Sequence, residues 1–354
     1  MPRAAIDTNG LYTSRAGVAR YIRGLLTGLR TISELEIIRH AWKVENFEHR
    51  QPRRSWRTFY REIIWANFIS PGLLRKSGAQ IYHATSGLYH PRLAELKCVV
   101  TLHDLAVLRH PERFRRWHLS SAKRQLARLA SSDRIICISR FTADEAIALL
   151  GLSAAKLEVV YNGCDFSTGA GPEELLPAFK VPDEFFLFVG SLEPGKNLAL
   201  LKQTYALARI QGIMLPPLLI VGARWSGVPG EGAPPSDWHY LGHQSDQVLV
   251  YLYRRARALA FPSKYEGFGL PVVEAMALGC PVICSKVASL PEVGGDAPCY
   301  AELTASDYLR AFCDLLADSN AREDCIREGR RQASRFTWNR CALETSGVYQ
   351  GVKP

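Results

Sequence analysis

Short apolar runs bounded by turn residues recur along this chain. They alternate with segments whose apolar residues return every three or four positions. The runs read as buried strands and the periodic segments as helices. In the first half the predicted strands are AAID (4–7), IYHA (81–84), CVVTLH (98–103), RIICIS (134–139) and LEVVYN (157–162). Residues 19–29 predict a helix with Tyr21, Leu25, Leu26 and Leu29 on one face. Residues 163–184 break the alternation with NGCD, STGAGPEE and VPDE, whose Gly, Pro and acids mark a domain boundary. The pattern resumes with FFLFVG (185–190), a helix near 197–210, PPLLIVG (216–222), a loop over 225–238 and HYLG (239–242). A helix near 245–256, ALAFPS (258–263) and PVICS (281–285) follow, and helices fill 304–350. Strand–helix alternation in both halves predicts two Rossmann-like, doubly wound α/β domains facing across a cleft. The expected divisions are 1–170, 171–335 and a final helix, 336–354, packing back towards the first domain.

Composition adds little to the fold and more to the setting. The chain has 354 residues, 47% hydrophobic and 22% charged, enough for two domains with cores of their own. The start, MPRAAIDTNG, has no long apolar run, so no signal peptide is expected. The most membrane-like stretch, 63–74, contains Asn67, Ser70 and Pro71 and is too short to span a bilayer. Nine cysteines, scattered and without a CxxC pair, point to a reduced cytoplasmic setting. Cys280 and Cys284 lack neighbouring ligand residues and read as structural thiols.

Charge is one-sided. Residues 1–170 carry 26 Lys and Arg against 14 Asp and Glu, while the remainder carries 18 against 20. The first half is therefore expected to meet an anionic molecule or surface. Two segments concentrate the basic residues. One, 53–76, sets Trp56, Tyr60, Ile63, Ile64 and Phe68 at helical spacing beside Arg53, Arg54, Arg57 and Arg61. The other, 113–134, sets Leu119, Ala122, Leu126 and Leu129 against Arg116, Lys123, Arg124 and Arg128. The apolar stripes read as faces covering a sheet, and the charge as a match for anionic lipid or a lipid diphosphate. None of the common nucleic-acid recognition modules is present, so no nucleic acid is expected.

In open α/β sheets, ligands bind beyond the carboxyl ends of the strands. His103 and Asp104 follow CVVTL, Ser139 ends RIICI, Lys196 follows FFLFVG and Glu266 follows ALAFPSKY. Each could be ordinary loop filler by itself; together they point to chemistry at strand ends. The stretch YEGFGLPVVEAMALGCPVI (265–283) reads as a turn feeding a helix, with Pro271 at its first position and Gly279 at its stop. Its N-terminus, with the backbone of Phe268, Gly269 and Leu270, could cradle a diphosphate. Glu266 and Glu274 flank that cradle. From spacing alone, Glu274 could equally complement the helix dipole and Glu266 could be a solvated loop acid. There is no D-x-D, HExxH or clustered His/Cys set, so no metal and no resident cofactor is expected.

EGFGLPVVEAMALGCPVI resembles the donor-site signature of the retaining glycosyltransferases of family 4, which have the GT-B fold. In that signature two acids are separated by seven residues, here Glu266 and Glu274. AGVARYIRGLL (16–26), TLHDLAVLRHP (101–111), CISRFTADE (137–145) and VVYNGCD (159–165) are similar to the family's N-domain segments. FVGSLEPGKNL (188–198) resembles its phosphate loop, and SLPEVGGDA (289–297) and FTW (336–338) its C-terminal segments. The resemblance implies a nucleoside-diphosphate sugar as donor, GDP- or UDP-linked with the mannose type favoured. Lys196 and backbone N–H groups, with Gly17 and Ser191 nearby, would meet the diphosphate. Glu274 would hold the ribose diol and Glu266 the sugar hydroxyls, since carboxylates suit paired hydroxyls. His103 would contact the donor sugar near the reacting carbon. Transfer would proceed with retention to a glycan or lipid-linked acceptor in polysaccharide or O-antigen-type synthesis, at the inner face of the membrane.

The chain departs from the family's pattern at four positions. Ser191 and Gly195 stand where members carry basic residues, and Arg224 is a candidate substitute cation. Ala16 and Ala19 stand where glycines are common in the first loop. The same scaffold could serve a sugar-nucleotide epimerase or hydrolase, or a protein that binds the nucleotide sugar without turnover. Release of free sugar without an acceptor would mark the first, and binding without turnover the second.

Overall fold

The structure is a computed structural model that describes residues 2–13, 17–42, 60–86, 95–114, 116–164, 180–223 and 235–352. The chain divides into two compact units, one of residues 1–163 and 337–354, the other of 164–336. Each is built on a six-stranded sheet, and every strand pair in both sheets is parallel.

In the first unit the strands are β1 (Arg3–Asp7), β2 (Glu36–His40), β3 (Ile81–Ala84), β4 (Lys97–Leu102), β5 (Arg134–Cys137) and β6 (Leu157–Val159). They lie in the order β2-β1-β3-β4-β5-β6, which reverses between β1 and β3. A parallel sheet is covered on both faces, so its central strands are apolar throughout rather than alternating. Val99 and Ile136 join a core on one face, with Ile6, Ile81 and Tyr21. Val100, Ile135 and Cys137 join a core on the other, with Tyr82 and Leu129.

The helix Gly17–Leu29 covers the first of these faces through Tyr21, Ile22, Leu25, Leu26 and Leu29. It also packs against the last helix, Trp338–Gly351. Gly24 and Gly28, one turn apart, let the two helices approach. A methyl group at Gly24 would lie 2.0 Å from the Trp338 ring, and one at Gly28 would lie 2.5 Å from the Trp338 carbonyl oxygen. The final helix starts at Thr337, whose side chain accepts a hydrogen bond from the Arg340 amide at 3.2 Å. It returns Tyr349 to the sheet. There His83 shares hydrogen bonds with the Tyr349 hydroxyl (2.6 Å) and the Thr101 hydroxyl (2.7 Å), and Thr101 with the Tyr21 hydroxyl (2.8 Å).

The basic segment before β3 departs from the expected stripe. Residues Tyr60–Ile69 form a π-helix and Ser70–Ser77 an α-helix. A π-helix bonds i→i+5 and turns less per residue than an α-helix; here Trp65 and Ala66 are buried while Phe68 is 70% exposed. Phe68 therefore does not belong to the covering face predicted for it. Residues 43–59, with Arg53, Arg54, Trp56 and Arg57, lie outside the described residues. The second basic segment forms the helix Arg116–Ala127; Leu126 and Leu129 pack on the core while Lys123, Arg124 and Arg128 are exposed.

In the second unit β7 (Phe186–Val189), β8 (Leu218–Val221), β9 (Trp238–Gly242), β10 (Ala258–Phe261), β11 (Val282–Ser285) and β12 (Cys299–Ala301) lie in the order β12-β11-β10-β7-β8-β9. Read from β7, this is the strand order of a dinucleotide-binding sheet, with its reversal between β7 and β10. Phe186 and Phe188 of β7, with Leu218, Ile220, Ala258 and Ala260, form a core with the helices Leu198–Ile210 and Ala305–Ala317. Phe186 stacks on Phe312 at 4.2 Å between ring centroids. Cys280 and Cys284 are buried free thiols in this unit, and burial pushes the Cys280 thiol up to about 12.

Burial also holds two histidines of the first unit neutral. It lowers His40 from 6.5 to about 4 and His83 from 6.5 to about 3. An unfolded histidine binds its proton near pH 6.5, so below that pH the unfolded state binds more protons and stability falls. The contribution is complete above about pH 7 and declines at about 1.4 kcal/mol per pH unit for each histidine. Urea unfolding is expected to show a loss of about 2–3 kcal/mol from these two groups between about pH 7.5 and about pH 5.5. His83→Gln should remove roughly half of that slope; an unchanged slope would show that His83 is not held neutral.

Candidate active site

The reversal of strand order between β7 and β10 leaves a gap at their carboxyl ends, because the chain departs in opposite directions from the two strands. Two loops fill that position. After β7 the chain runs through Gly190 and Ser191 to Glu193, which is 3% exposed. The Glu193 carboxylate accepts a hydrogen bond from the Gly195 amide at 2.8 Å and caps the single 3-10 turn Pro194–Lys196. After β10 the chain runs through Lys264 to Glu266. The loops are tied together by the backbone, with the Lys264 amide donating to the Gly195 carbonyl at 2.8 Å.

That tie places Lys196 beside Glu266, and their side chains form an ion pair. The pair is largely withdrawn from water, with the two side chains 19% and 10% exposed. The Lys196 ammonium also lies 5.4 Å from the centre of the Phe261 ring. Ser289 fixes the Glu266 backbone by donating to its carbonyl at 2.9 Å. The two residues are seventy positions apart in sequence, and the strand order makes them neighbours.

Two residues beyond Glu266, Phe268 turns its side chain inward against Phe336, edge to face at 5.6 Å. Gly269 has φ +92°, in the left-handed region, and heads the helix Leu270–Ala277. A side chain there would be strained, and its Cβ would meet Leu290 at 2.6 Å. Leu270 opens the helix and Pro271 is its second residue, one place later than the sequence predicts. Gly279 follows the helix with φ +75°. Glu274, one turn into the helix, is 1% exposed, and its carboxylate accepts a hydrogen bond from the Tyr253 hydroxyl at 3.1 Å. The helix dipole at this end favours an anion. Arg224 lies outside the described residues.

In the first unit, His103 follows β4 and is partly buried. Its Nε2–H donates to the Thr85 carbonyl at 2.8 Å, at the end of β3. The Tyr21 ring meets it edge to face at 5.1 Å. Burial lowers its pKa, partly opposed by the Thr85 hydrogen bond and the Asp104 charge. His103 is thus a neutral imidazole whose Nδ1 is an acceptor. Asp104 is exposed and accepts from the Ala106 amide at 2.9 Å, closing a turn. Ser139 is fully buried and caps the helix Arg140–Leu150. It accepts from the Thr142 amide at 3.1 Å and donates to the Thr142 hydroxyl at 2.9 Å, so the cap accounts for it. Gly17 is the first residue of its helix and is exposed; Ala16 lies outside the described residues.

Three side chains that support these loops and strand ends were not legible as site residues. Tyr253 stands in an amphipathic helix, where an aromatic reads as core. Glu193 reads as a loop acid. Asp7 ends β1 beside the reversal of the first sheet, fully buried, and accepts from the Asn9 amide and side chain, each at 2.8 Å, and from the Ser86 hydroxyl at 2.9 Å. The Thr85 hydroxyl donates to the Asp7 carbonyl, so the strand end that holds His103 is itself strapped to β1.

Comparison with known proteins identifies the family. The Glycosyltransferase Family 4 profile matches residues 15–168, and the Glycosyl transferases group 1 profile matches residues 177–332. The chain is 34% identical over 292 residues to O-antigen chain mannosyltransferase B of Escherichia coli, covering 78% of this chain and 76% of that protein. It is 26% identical over 269 residues to the serotype-specific mannosyltransferase WbdA of Escherichia coli, covering 68% of this chain and 32% of that protein. Its fold matches sucrose-phosphate synthase from Thermosynechococcus elongatus with a TM-score of 0.77 at 19% identity, over 99% of each chain. The chain belongs to the family 4 glycosyltransferases and has their GT-B fold.

The Tyr253 contact has a measurable consequence. Tyr253→Phe removes one donor from a buried carboxylate, which should lower the unfolding free energy by about 1.5–3 kcal/mol in urea denaturation. A loss within about 0.3 kcal/mol would mean that the hydroxyl does not support Glu274.

Proposed function

We propose that this protein transfers a hexose of the mannose type from a nucleoside-diphosphate sugar to a glycan or lipid-linked acceptor, with retention at the anomeric carbon. The observation that carries this reading is the convergence of Lys196, Glu266 and the Gly269-headed helix at the reversal of the second sheet. A diphosphate suits an ammonium group and the positive end of a helix. A carboxylate suits neutral hydroxyls.

Each residue then has one task. Lys196 and the backbone at Gly269 and Leu270 take the diphosphate, with Gly17 and Ser191 supplying further backbone approach. Glu266 accepts from hydroxyls of the sugar, and Glu274, oriented by Tyr253, from the ribose diol. His103 offers Nδ1 as an acceptor to a sugar hydroxyl near the anomeric carbon; its neutral state avoids opposing a developing positive charge there. The bond from the anomeric carbon to the phosphate oxygen breaks, that oxygen keeps the electron pair and takes the acceptor's proton, and the new bond forms on the same face. The protein contributes positioning and charge stabilisation. No resident cofactor or metal has a task in this scheme.

The donor is GDP- or UDP-linked. Two relatives named as mannosyltransferases, one of them for the O-antigen chain, favour mannose and O-antigen-type synthesis. The basic first half favours an anionic acceptor or the anionic face of a membrane. Phe68 and Leu73, exposed beside Arg75 and Lys76, suit such a surface. Among the described residues no helix is long and apolar enough to cross a membrane.

Calorimetric titration with GDP, UDP, ADP and CMP should show binding of one nucleotide, weakened in Glu274→Ala. No binding by any of the four near millimolar concentration would refute the donor site. Once the donor is fixed, Lys196→Ala should reduce kcat by about 10²–10³-fold, as for loss of a group that stabilises developing negative charge. Retention of full turnover would remove Lys196 from the mechanism.

A further inference from the structure

We infer that the Lys196–Glu266 ion pair makes the site discriminate between a nucleotide sugar and the nucleoside diphosphate left after transfer. This rests on the donor-site reading and assigns Glu266 a second task, the expulsion of product.

Lys196 and Glu266 satisfy each other's charge in a position largely closed to water. A diphosphate that enters takes the ammonium group, and Glu266 loses its counter-charge. A carboxylate left without a partner in a partly dry site is costly, and more so beside a second anion. A nucleotide sugar offsets that cost because it brings its own hydroxyl donors to Glu266. The nucleoside diphosphate brings none. Its terminal phosphate oxygen gains negative charge once the proton taken from the acceptor passes to solvent.

The closed ion pair, the donor complex and the product complex therefore differ in what Glu266 faces. It faces Lys196 in the first, hydroxyl groups in the second and an anion in the third. Both ligands bring the diphosphate's charge beside the carboxylate, but only the product complex leaves it without hydroxyl donors to offset that charge. Departure of the product restores the ion pair, so release is favoured by the same two side chains that hold the donor. The backbone tie from Lys264 to Gly195 keeps the two loops together, and with them the two charges.

Calorimetry with two pairs of probes, GDP with GDP-mannose and UDP with UDP-glucose, tests this on the wild type, Glu266→Gln and Glu266→Asp. In whichever pair binds, Glu266→Gln should bind the nucleoside diphosphate about tenfold more tightly than the wild type, a change of about 1.4 kcal/mol. It should bind the nucleotide sugar no more tightly, so the ratio of the two affinities collapses. Glu266→Asp keeps the charge and should keep wild-type affinity for the diphosphate. If the glutamine variant folds poorly, Glu266→Ala removes the same charge and should shift diphosphate binding in the same direction. A simple structural tie would predict the opposite, weaker binding of both ligands. If the wild type binds donor but loss of the charge leaves diphosphate affinity unchanged or lower, the inference is wrong and the donor site stands. If the wild type binds none of the four probes, the donor site itself fails and the inference with it.

Discussion

The order of strands in the second sheet reverses between β7 and β10, and the proposed chemistry depends on that reversal. A parallel sheet sends every connection over one of its faces. At most strand ends the departing chain covers its neighbour. At the reversal the two chains leave in opposite directions and a gap remains. Lys196 and Glu266 occupy the loops on its two sides, and the amide of Lys264 joins those loops at the carbonyl of Gly195. Nothing in local sequence brings a lysine and a glutamate seventy positions apart into an ion pair; the topology does.

The first unit uses the same device differently. Its sheet reverses between β1 and β3, and the residues there are bound to each other. Asp7 holds Asn9 and Ser86, and Thr85 links the end of β3 to β1 and to His103. Behind them His83, Thr101, Tyr21 and Tyr349 form a buried hydrogen-bonded row that reaches the C-terminal helix. Buried polar groups of this kind are stable only when each has a partner. The row thus joins the packing of Trp338–Gly351 to the wall against which His103 stands. The C-terminal helix belongs to the first unit through Gly24 and Gly28, which admit Trp338.

Much of this was legible in the sequence because central parallel strands are apolar on both faces. FLFV, LLIV, ALAF and VICS are fully buried and were visible as runs. The two strands that were missed are edges. EIIRH of β2 carries the exposed Glu36 and Arg39 at the sheet edge and a buried His40 that bonds Ser70, which breaks the apolar run, and CYA of β12 is only three residues long. The stripe through Phe68 was misread because Tyr60–Ile69 is a π-helix, whose residues turn through a smaller angle per position than the α-helical template assumes. In the candidate site, the turn at Gly269 was legible from its spacing, whereas the acids at 266 and 274 were singled out only by the family resemblance, since spacing alone left a dipole complement and a loop acid open. Tyr253, Glu193 and Asp7 were not, since their partners are set by strand order rather than by sequence distance.

The central claim is that Lys196 and Glu266 exchange each other for the donor. The most direct measurement is a crystal structure of the wild-type protein with a bound, unreacted nucleotide sugar. The account predicts that the ion pair is broken, with the Lys196 ammonium on a phosphate oxygen and the Glu266 carboxylate on sugar hydroxyls. A bound nucleotide sugar that leaves the Lys196–Glu266 pair intact, with its diphosphate held elsewhere, would contradict it.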